Sequence, residues 1–260
     1  MDERPAATIQ EIAANAWPSS MSQVVDGWRL RTTPGVEARR SNSVLPLVDG
    51  GRLSLEDKLA IVDEFYAERG LPARFELSPA TVPAGLDDVL AARGFEIELE
   101  IDIMVADLAE VASRSARDGA PDVRVEEEPS EAWLDTMLGV TARGERGTLR
   151  VAVLDRIAPP VRYASAADGE RTIAVGMSVR ERGWLGIFSM ATLPEARRRG
   201  AATAILHALA QDGLRGGAAR SYLQTDIGNA ASHAVYEAIG FATAYRYHYR
   251  VRRRPAPTTP

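Results

Sequence analysis

The hydrophobic and polar positions of the chain form two stretches that predict the same order of elements. The first stretch predicts a helix, a strand, a helix and a strand over 59–70, 75–77, 85–95 and 96–105. The second stretch predicts the same series over 202–213, 221–227, 232–241 and 242–251. The second helix of each series runs into a Gly-Phe pair. Alternating helices and strands of this kind are typical of an α/β protein.

The two series keep one offset along the chain. Phe95 and Phe241 are 146 positions apart, and so are Leu77 and Leu223. A constant offset predicts a duplicated unit, although any α/β protein repeats helices and strands and this simpler explanation stays open. The copies are unequal, because the second has PEARRRGAAT at 194–203 where the first has LVDGGRLSLEDK at 47–58. We therefore expect the chemistry of this turn in one copy only.

Composition shifts predict the domain boundaries. The segment 109–122, AEVASRSARDGAPD, is small, polar and charged and predicts a linker. The residues from Arg252 onward are basic and then proline-rich, which predicts a disordered tail over 252–260. The predicted domains are therefore 1–108 and 123–251.

Composition and charge narrow the classes of function. The chain has 260 residues, a formal net charge of −5 and no cysteine, so disulfides and a cysteine nucleophile are excluded. No two of its three histidines have metal-ligand spacing, so we expect no metal site. The N-terminus lacks a signal-peptide core and no apolar run reaches about 18 residues, so we expect a cytoplasmic protein without a membrane partner. Arginine triplets at 197–199 and 252–254 raise nucleic-acid binding as an alternative, but a pI near 5.4 argues against it.

The segment around 183–203 predicts an anion site. Residues 183–193, GWLGIFSMATL, have the pattern of a buried strand that ends at Pro194, and a helix begins near Gly200. The apolar side of this helix carries Ile205, Leu206 and Leu209. The first amides of a helix point outward and favour negative charge, and small residues at Gly200 and Ala202 would let phosphates approach them. Flanking arginines would add charge-assisted hydrogen bonds.

These residues resemble a known family. Residues 197–202, Arg-Arg-Arg-Gly-Ala-Ala, fit the Arg/Gln-x-x-Gly-x-Gly/Ala signature of the GNAT superfamily of N-acetyltransferases. Residues 223–241 resemble its second signature, in which an asparagine and a tyrosine seven positions later precede Gly-Phe. The resemblance implies that the turn binds the pyrophosphate of acetyl-CoA, that Asn229 binds the pantetheine arm, and that Tyr236 protonates the leaving thiolate. The last role suits a phenol of ordinary pKa about 10.

The resemblance also implies a mixed-sheet GNAT fold in two tandem domains, of which the first is degenerate. In the family, a bulge separates the strand before the turn from its neighbour, so that its backbone pairs with pantetheine and one amide stabilises the oxyanion. The implied acetyl-CoA contacts are Met190, Ala191, Thr192, Arg197, Arg198, Arg199, Gly200, Ala201, Ala202, Thr203 and Asn229.

The general base and the acceptor stay open. Asp226 and Glu145 are candidate bases, and either can equally be a surface charge or a structural hydrogen-bonder. Arg143, Arg146 and Arg150 lie where the family binds its acceptor, or form a solvated face. We expect acetyl transfer from acetyl-CoA to a primary amine without an acyl-enzyme, by a monomer or homodimer. The alternative is a catalytically silent acyl-CoA-binding regulatory module.

Overall fold

The computed structural model describes residues 5–36, 38–114, 119–141 and 151–252. Contacts divide the chain into a first unit of residues 1–101 and 245–260 and a second unit of residues 102–244. The chain leaves the first unit within strand β5 (Glu96–Asp107) and returns to it within strand β11 (Ala242–Arg252). These unit boundaries differ from those predicted from composition. The chain crosses from one unit to the other inside regular strands, where the composition does not change.

The first unit is built from three helices and four short strands in addition to its parts of β5 and β11, counted over the described residues. In chain order they are α1 (Pro5–Ala16), β1 (Met21–Val25), β2 (Trp28–Thr32), β3 (Val44–Leu45), α2 (Leu55–Ala67), β4 (Ala73–Leu77) and α3 (Leu86–Ala92). The strand order is β1-β2-β3-β4-β11. All neighbours in it are antiparallel except β3 and β4, which are parallel.

The second unit follows the same scheme with longer strands. Its elements after β5 are α4 (Leu108–Ser113), β6 (Val123–Glu126), α5 (Glu131–Thr141), β7 (Val161–Asp168), β8 (Arg171–Glu181), β9 (Trp184–Thr192), a 3-10 turn (Pro194–Ala196), α6 (Ala201–Arg215), β10 (Arg220–Asp226) and α7 (Ala230–Ile239). The strand order is β5-β10-β9-β8-β7-β6. β9 and β10 are parallel, whereas the pairs β6/β7, β7/β8 and β8/β9 are antiparallel.

Each unit has its own apolar core. In the first unit Trp28, Phe75 and Phe95 are fully or almost fully buried and meet edge to face, with ring centroids 5.7 and 5.6 Å apart. In the second unit α6 buries Ile205, Leu206 and Leu209, as its helical spacing predicts. This packing fixes the start of α6, and with it the turn that precedes the helix.

The predicted series of elements is confirmed, and two predicted segments differ from the structure. α4 occupies residues 108–113 and so overlaps the first part of the predicted linker, because Leu108 and Val111 are buried in the core of the second unit. Arg252, the first residue of the predicted tail, is the last residue of β11. No helix in the described ranges is long and apolar enough to cross a membrane.

Candidate active site

A β-bulge interrupts strand β9 just before the turn. Met177 of β8 pairs with Phe188 and Val175 pairs with Ala191, so Gly176 alone faces both Ser189 and Met190. Ser189 adopts a φ of +51°, a left-handed conformation that is costly for a serine. The hydroxyl of Ser189 is buried and has no hydrogen-bond partner among the described residues. The bulge therefore turns the backbone of β9 out of its regular ladder at Ser189 and Met190.

Strand β9 also parts from its parallel neighbour near this bulge. Over the described chain, the two strands pair only where residues 184–186 lie beside residues 220–222. From Ile187 to Thr192, β9 continues without a ladder partner on the β10 side. Main-chain N–H and C=O groups on this side of β9 are thereby available to an extended ligand, as in the addition of a strand.

The turn after β9 leads into helix α6 through two residues with a left-handed backbone. Gly200 is the N-cap of α6 with a φ of +83°, and it has no side chain with which to cap the helix. Arg198 is also left-handed, with a φ of +63°. In the described part of the chain, no acceptor takes a hydrogen bond from the N–H groups of Ala201 and Ala202, which begin the helix. Such a helix start is suited to an oxyanion.

The arginines of this turn are exposed and surround it with positive charge. The guanidinium of Arg199 donates to Asp168 at 2.8 Å, and both side chains are half exposed. Arg171 makes a similar pair with Glu195, at 2.6 Å. These surface pairs hold the side chains near the turn without enclosing it, and each contributes little to stability.

Helix α7 places three polar side chains on one face. Asn229, His233 and Tyr236 are spaced by four and three residues, which aligns them along a helix. Asn229 is the N-cap, and its side-chain carbonyl accepts the N–H of Ser232 at 3.1 Å. Among the described residues, no acceptor takes a hydrogen from its amide NH2 group, which can therefore donate to another partner.

Tyr236 is packed against the core of the second unit. Its ring meets that of Phe241 at 6.1 Å, and burial raises the pKa of its phenol above the ordinary value. Within the described residues, no acceptor is found for its hydroxyl hydrogen. A phenol with a raised pKa stays protonated at neutral pH, so it is able to donate.

Of the two candidate bases, Asp226 lies within the described residues and Glu145 does not. Glu145, like Arg143, Arg146 and Arg150, lies outside the described residues. The carboxylate of Asp226 is exposed and accepts the N–H of Gly228 at 2.8 Å, in the turn that leads to Asn229. Asp226 thus holds the turn in place, and its role as a base stays a prediction.

The sequence reasoning missed one pair of residues beside this site. The Nε2 atom of His233 lies 3.8 Å from Oδ2 of Asp102 on β5, and this nitrogen is buried without a hydrogen-bond partner among the described residues. The first unit holds the reversed pair 146 positions away, where His248 of β11 lies 2.9 Å from Asp87 of α3. The offset of 146 residues relates Asp87 to His233 and Asp102 to His248, so the sequence contained a signal for both pairs.

The solved structures to which this chain is similar fix its fold. They include a GCN5-related N-acetyltransferase from Kribbella flavida, with a TM-score of 0.73, 15% identity and 96% of each chain covered. A tandem GNAT protein from the clavulanic acid biosynthesis pathway, solved without AcCoA, has a TM-score of 0.68 at 13% identity and covers 95% of this chain and 88% of its own. A GCN5-related N-acetyltransferase from Sphaerobacter thermophilus has a TM-score of 0.60 at 15% identity, with 93% and 84% covered.

These similarities confirm the mixed-sheet α/β fold that the resemblance to the GNAT superfamily implied. The family described as probable histone acetyltransferase Rv0428c C-terminal matches residues 7–250. Because the match spans nearly the whole chain, the protein belongs to this family. No curated protein matches it.

Proposed function

We propose that the second unit transfers an acetyl group from acetyl-CoA directly to a primary amine. The observation that carries this proposal is the combination of the β9 bulge at Ser189 and Met190 with the open helix start at Gly200. Together they offer amides for a pyrophosphate and a free strand edge for the pantetheine arm.

Each group of residues has a role in the proposed complex. The turn Arg197–Thr203 would hold the pyrophosphate, with the exposed arginines adding charge-assisted hydrogen bonds. The backbone of Met190, Ala191 and Thr192 would bind pantetheine, and the amide NH2 of Asn229 would add a hydrogen bond to the same arm. One amide of β9 would stabilise the negative charge that develops on the thioester oxygen.

The proposed reaction forms one C–N bond and breaks one C–S bond. The acceptor nitrogen attacks the carbonyl carbon of the thioester while it loses a proton to a base. Tyr236 then gives its phenolic proton to the departing CoA sulfur. The partly buried phenol with its raised pKa supports this role, since it is protonated at neutral pH. No residue is assigned as the base.

The acceptor is proposed from charge and from the family name. The formal net charge of −5 favours a cationic acceptor by long-range attraction. The name of the family, probable histone acetyltransferase, supports a lysine in a basic protein segment. We therefore place lysine-rich peptides first among acceptors, ahead of polyamines and other small amines. The cytoplasmic location, the absence of a nucleic-acid partner and the state of monomer or homodimer stay predictions.

One observation favours a second function. The carboxylate of Asp226 is engaged with the Gly228 amide, so the described residues give no free carboxylate at the end of β10. A protein without a base would bind acyl-CoA and not turn it over, and would act as a regulatory module. Both functions predict CoA binding, so only turnover separates them.

The test is the release of free CoA thiol from acetyl-CoA by purified protein. The acceptor panel contains histone-tail peptides, the same peptides with every lysine replaced by arginine, polyamines and free amino acids. We expect release that depends on the amine and that is fastest with the lysine peptides. Tight CoA binding without turnover on the whole panel would favour the regulatory module, and no CoA binding would contradict both functions.

A further inference from the structure

The first unit contains a loop that is equivalent in position to the glycine turn of the second unit. α2 begins at Leu55 and α6 begins at Ala201, and these residues are 146 positions apart. This is the same offset that relates Phe95 to Phe241. The loop 49–54 therefore corresponds to the turn 195–200.

The loop of the first unit holds a carboxylate of the protein itself. The backbone N–H groups of Arg52 and Leu53 both donate to Oδ2 of Asp26 at 3.1 Å. The guanidinium of Arg52 donates to Oδ1, also at 3.1 Å, and Nζ of Lys58 lies 3.0 Å from Oδ2. Two successive main-chain amides and two cations around one carboxylate make up a complete oxyanion site.

The sequence positions Asp26 for this contact in two ways. Asp26 and Gly27 form the two-residue turn between β1 and β2, with φ values of +44° and +92°. Asp-Gly is the pair that favours such a hairpin turn. Gly50 allows the loop to approach, since a Cβ atom there would collide with Oδ1 of Asp26. Asp26 is 4% exposed as a result.

The first helical amides of the two units also differ. In the first unit the side chain of Ser54 caps α2 by accepting the N–H of Asp57 at 3.1 Å. Its counterpart in the second unit is Gly200, which has no side chain to do so. A side chain therefore caps the first amides of the helix in the first unit, and no side chain caps them in the second unit.

The second unit also has an acidic residue near its turn, but this residue binds an arginine side chain and not the main-chain amides. Asp168, at the end of β7, pairs with the guanidinium of Arg199 and remains about half exposed. In the described chain, no carboxylate accepts the main-chain N–H groups of Arg198 and Arg199, which correspond to Arg52 and Leu53. The main-chain N–H groups of this loop therefore donate to a carboxylate in the first unit, and to no carboxylate among the described residues in the second.

We propose that Asp26 is a built-in oxyanion that closes a second anion-binding site, in the first unit. Its carboxylate takes the place that a phosphate oxygen would take in the second unit. The identity of that ligand in the second unit rests on the proposed function, whereas the filled loop of the first unit rests on its own contacts. Without Asp26, Lys58 would keep its ion pair with Asp49, whereas the guanidinium of Arg52 and the amides of Arg52 and Leu53 would lose this carboxylate, and the loop would bind a small added oxyanion.

The test is the rescue of an Asp26→Gly variant by formate. Glycine suits the left-handed φ of this position, so the substitution removes the carboxylate without adding strain. We expect the variant to melt about 5 °C below the wild type, and about 100 mM formate to restore roughly half of this loss relative to chloride at equal ionic strength. The turn of the second unit is present in all three proteins, so the wild type and an Asp168→Gly control should show the same, smaller difference between formate and chloride. A difference for Asp26→Gly no larger than that of the wild type would overturn the proposal.

Two further measurements keep the proposal testable if Asp26→Gly does not fold. Asp26→Asn fills the same space with an amide, so it should fold and should show no specific response to formate. Recovery of folded Asp26→Gly on refolding in formate would support the proposal, and no recovery while Asp26→Asn folds would overturn it. Calorimetric titration of the wild type with CoA separates the two proposals. Absence of CoA binding would contradict the proposed function and leave the formate result untouched, whereas two CoA molecules per chain would overturn the closed site.

Discussion

Leu90 and Tyr236 occupy equivalent positions in the two halves of the chain. The backbone carbonyl of each accepts a 3.0 Å hydrogen bond from the N–H of a buried phenylalanine, Phe95 in one case and Phe241 in the other. Both bonds close a helix before a glycine with a positive φ. The backbone is thus alike in the two units, while the side chain differs. Leu90 is fully buried and has no proton to give, so only the second unit holds a phenol at this place.

A Gly200→Ala variant tests the turn. Alanine at a φ of +83° costs about 1 kcal/mol, and relaxation of that strain would move the amides of the turn away from the pyrophosphate. We expect the affinity for CoA to fall at least about fivefold, the equivalent of that strain. The measurement is the CoA dissociation constant by calorimetry.

Gly183→Ala is the matched control for this substitution. Gly183 has a φ of +76° in the turn between β8 and β9. A Cβ atom there would meet nothing within 4 Å, and one at Gly200 would meet only the Cβ of Ala120, at an ordinary contact distance of 3.9 Å, among the described residues. The control should lose stability and keep its CoA affinity. Equal losses of affinity in both variants would show that strain anywhere in the unit impairs binding, and would contradict the role of the turn.

Asp26 predicts a specific dependence of stability on pH. Burial raises the pKa of its carboxyl, but hydrogen bonds from the Leu53 amide, Lys58 and Arg52 outweigh this and lower it well below its usual value. The ionised carboxylate therefore stabilises the fold fully above the unfolded pKa of about 4, and this contribution is lost as the pH falls through the folded pKa.

The measurement is the melting temperature of the wild type and of Asp26→Asn between pH 7 and pH 2. The difference between them should be largest at neutral pH and should shrink below about pH 4. A difference that stays constant down to pH 2 would mean that the charge of Asp26 contributes nothing.

The only lysine of the chain is predicted to resist acetylation. Lys58 is 2% exposed, forms ion pairs with Asp26 and Asp49, and lies 5.3 Å from the ring centroid of Trp28. Its ammonium pKa is raised, because the ion pairs with Asp49 and Asp26 outweigh the cost of burial. An amine that is both buried and protonated is a poor nucleophile.

Mass spectrometry of the peptide that contains Lys58 checks this prediction. After incubation of the folded protein with acetyl-CoA or with an amine-reactive acetyl ester, the peptide should remain unmodified. The same ester should acetylate it in the unfolded protein. Modification of Lys58 in the folded state would contradict its enclosure.

The sequence predicted most of the fold because its signals were periodic and local. The spacing of Ile205, Leu206 and Leu209 marked α6, and the two Gly-Phe pairs marked the ends of α3 and α7. The division of the chain was less readable, since β5 and β11 each continue through a boundary as one unbroken strand. No composition shift accompanies a boundary that falls inside a regular strand.

Only part of the candidate site could be predicted from the sequence. Gly200 has no side chain and so adopts a φ of +83° without strain, which is why a glycine at this position marked the turn in the sequence. Ser189 has no such mark, because a serine with a φ of +51° is imposed by the surrounding sheet and not by its own preference. Asp26 and Asp102 were missed because their importance lies in contacts with distant segments.

The most direct test of the proposed function is the comparison of kcat and CoA affinity in a Tyr236→Phe variant. Tyr163→Phe is the control, because Tyr163 is another buried tyrosine of the second unit, it packs on Trp133, and burial raises its pKa to about 12. We expect Tyr236→Phe to lower kcat about 100-fold with a change in the CoA dissociation constant of less than about twofold. The control should keep both values. An unchanged kcat in Tyr236→Phe, or equal losses of kcat and affinity, would contradict the role of Tyr236 as the acid that protonates the leaving thiolate.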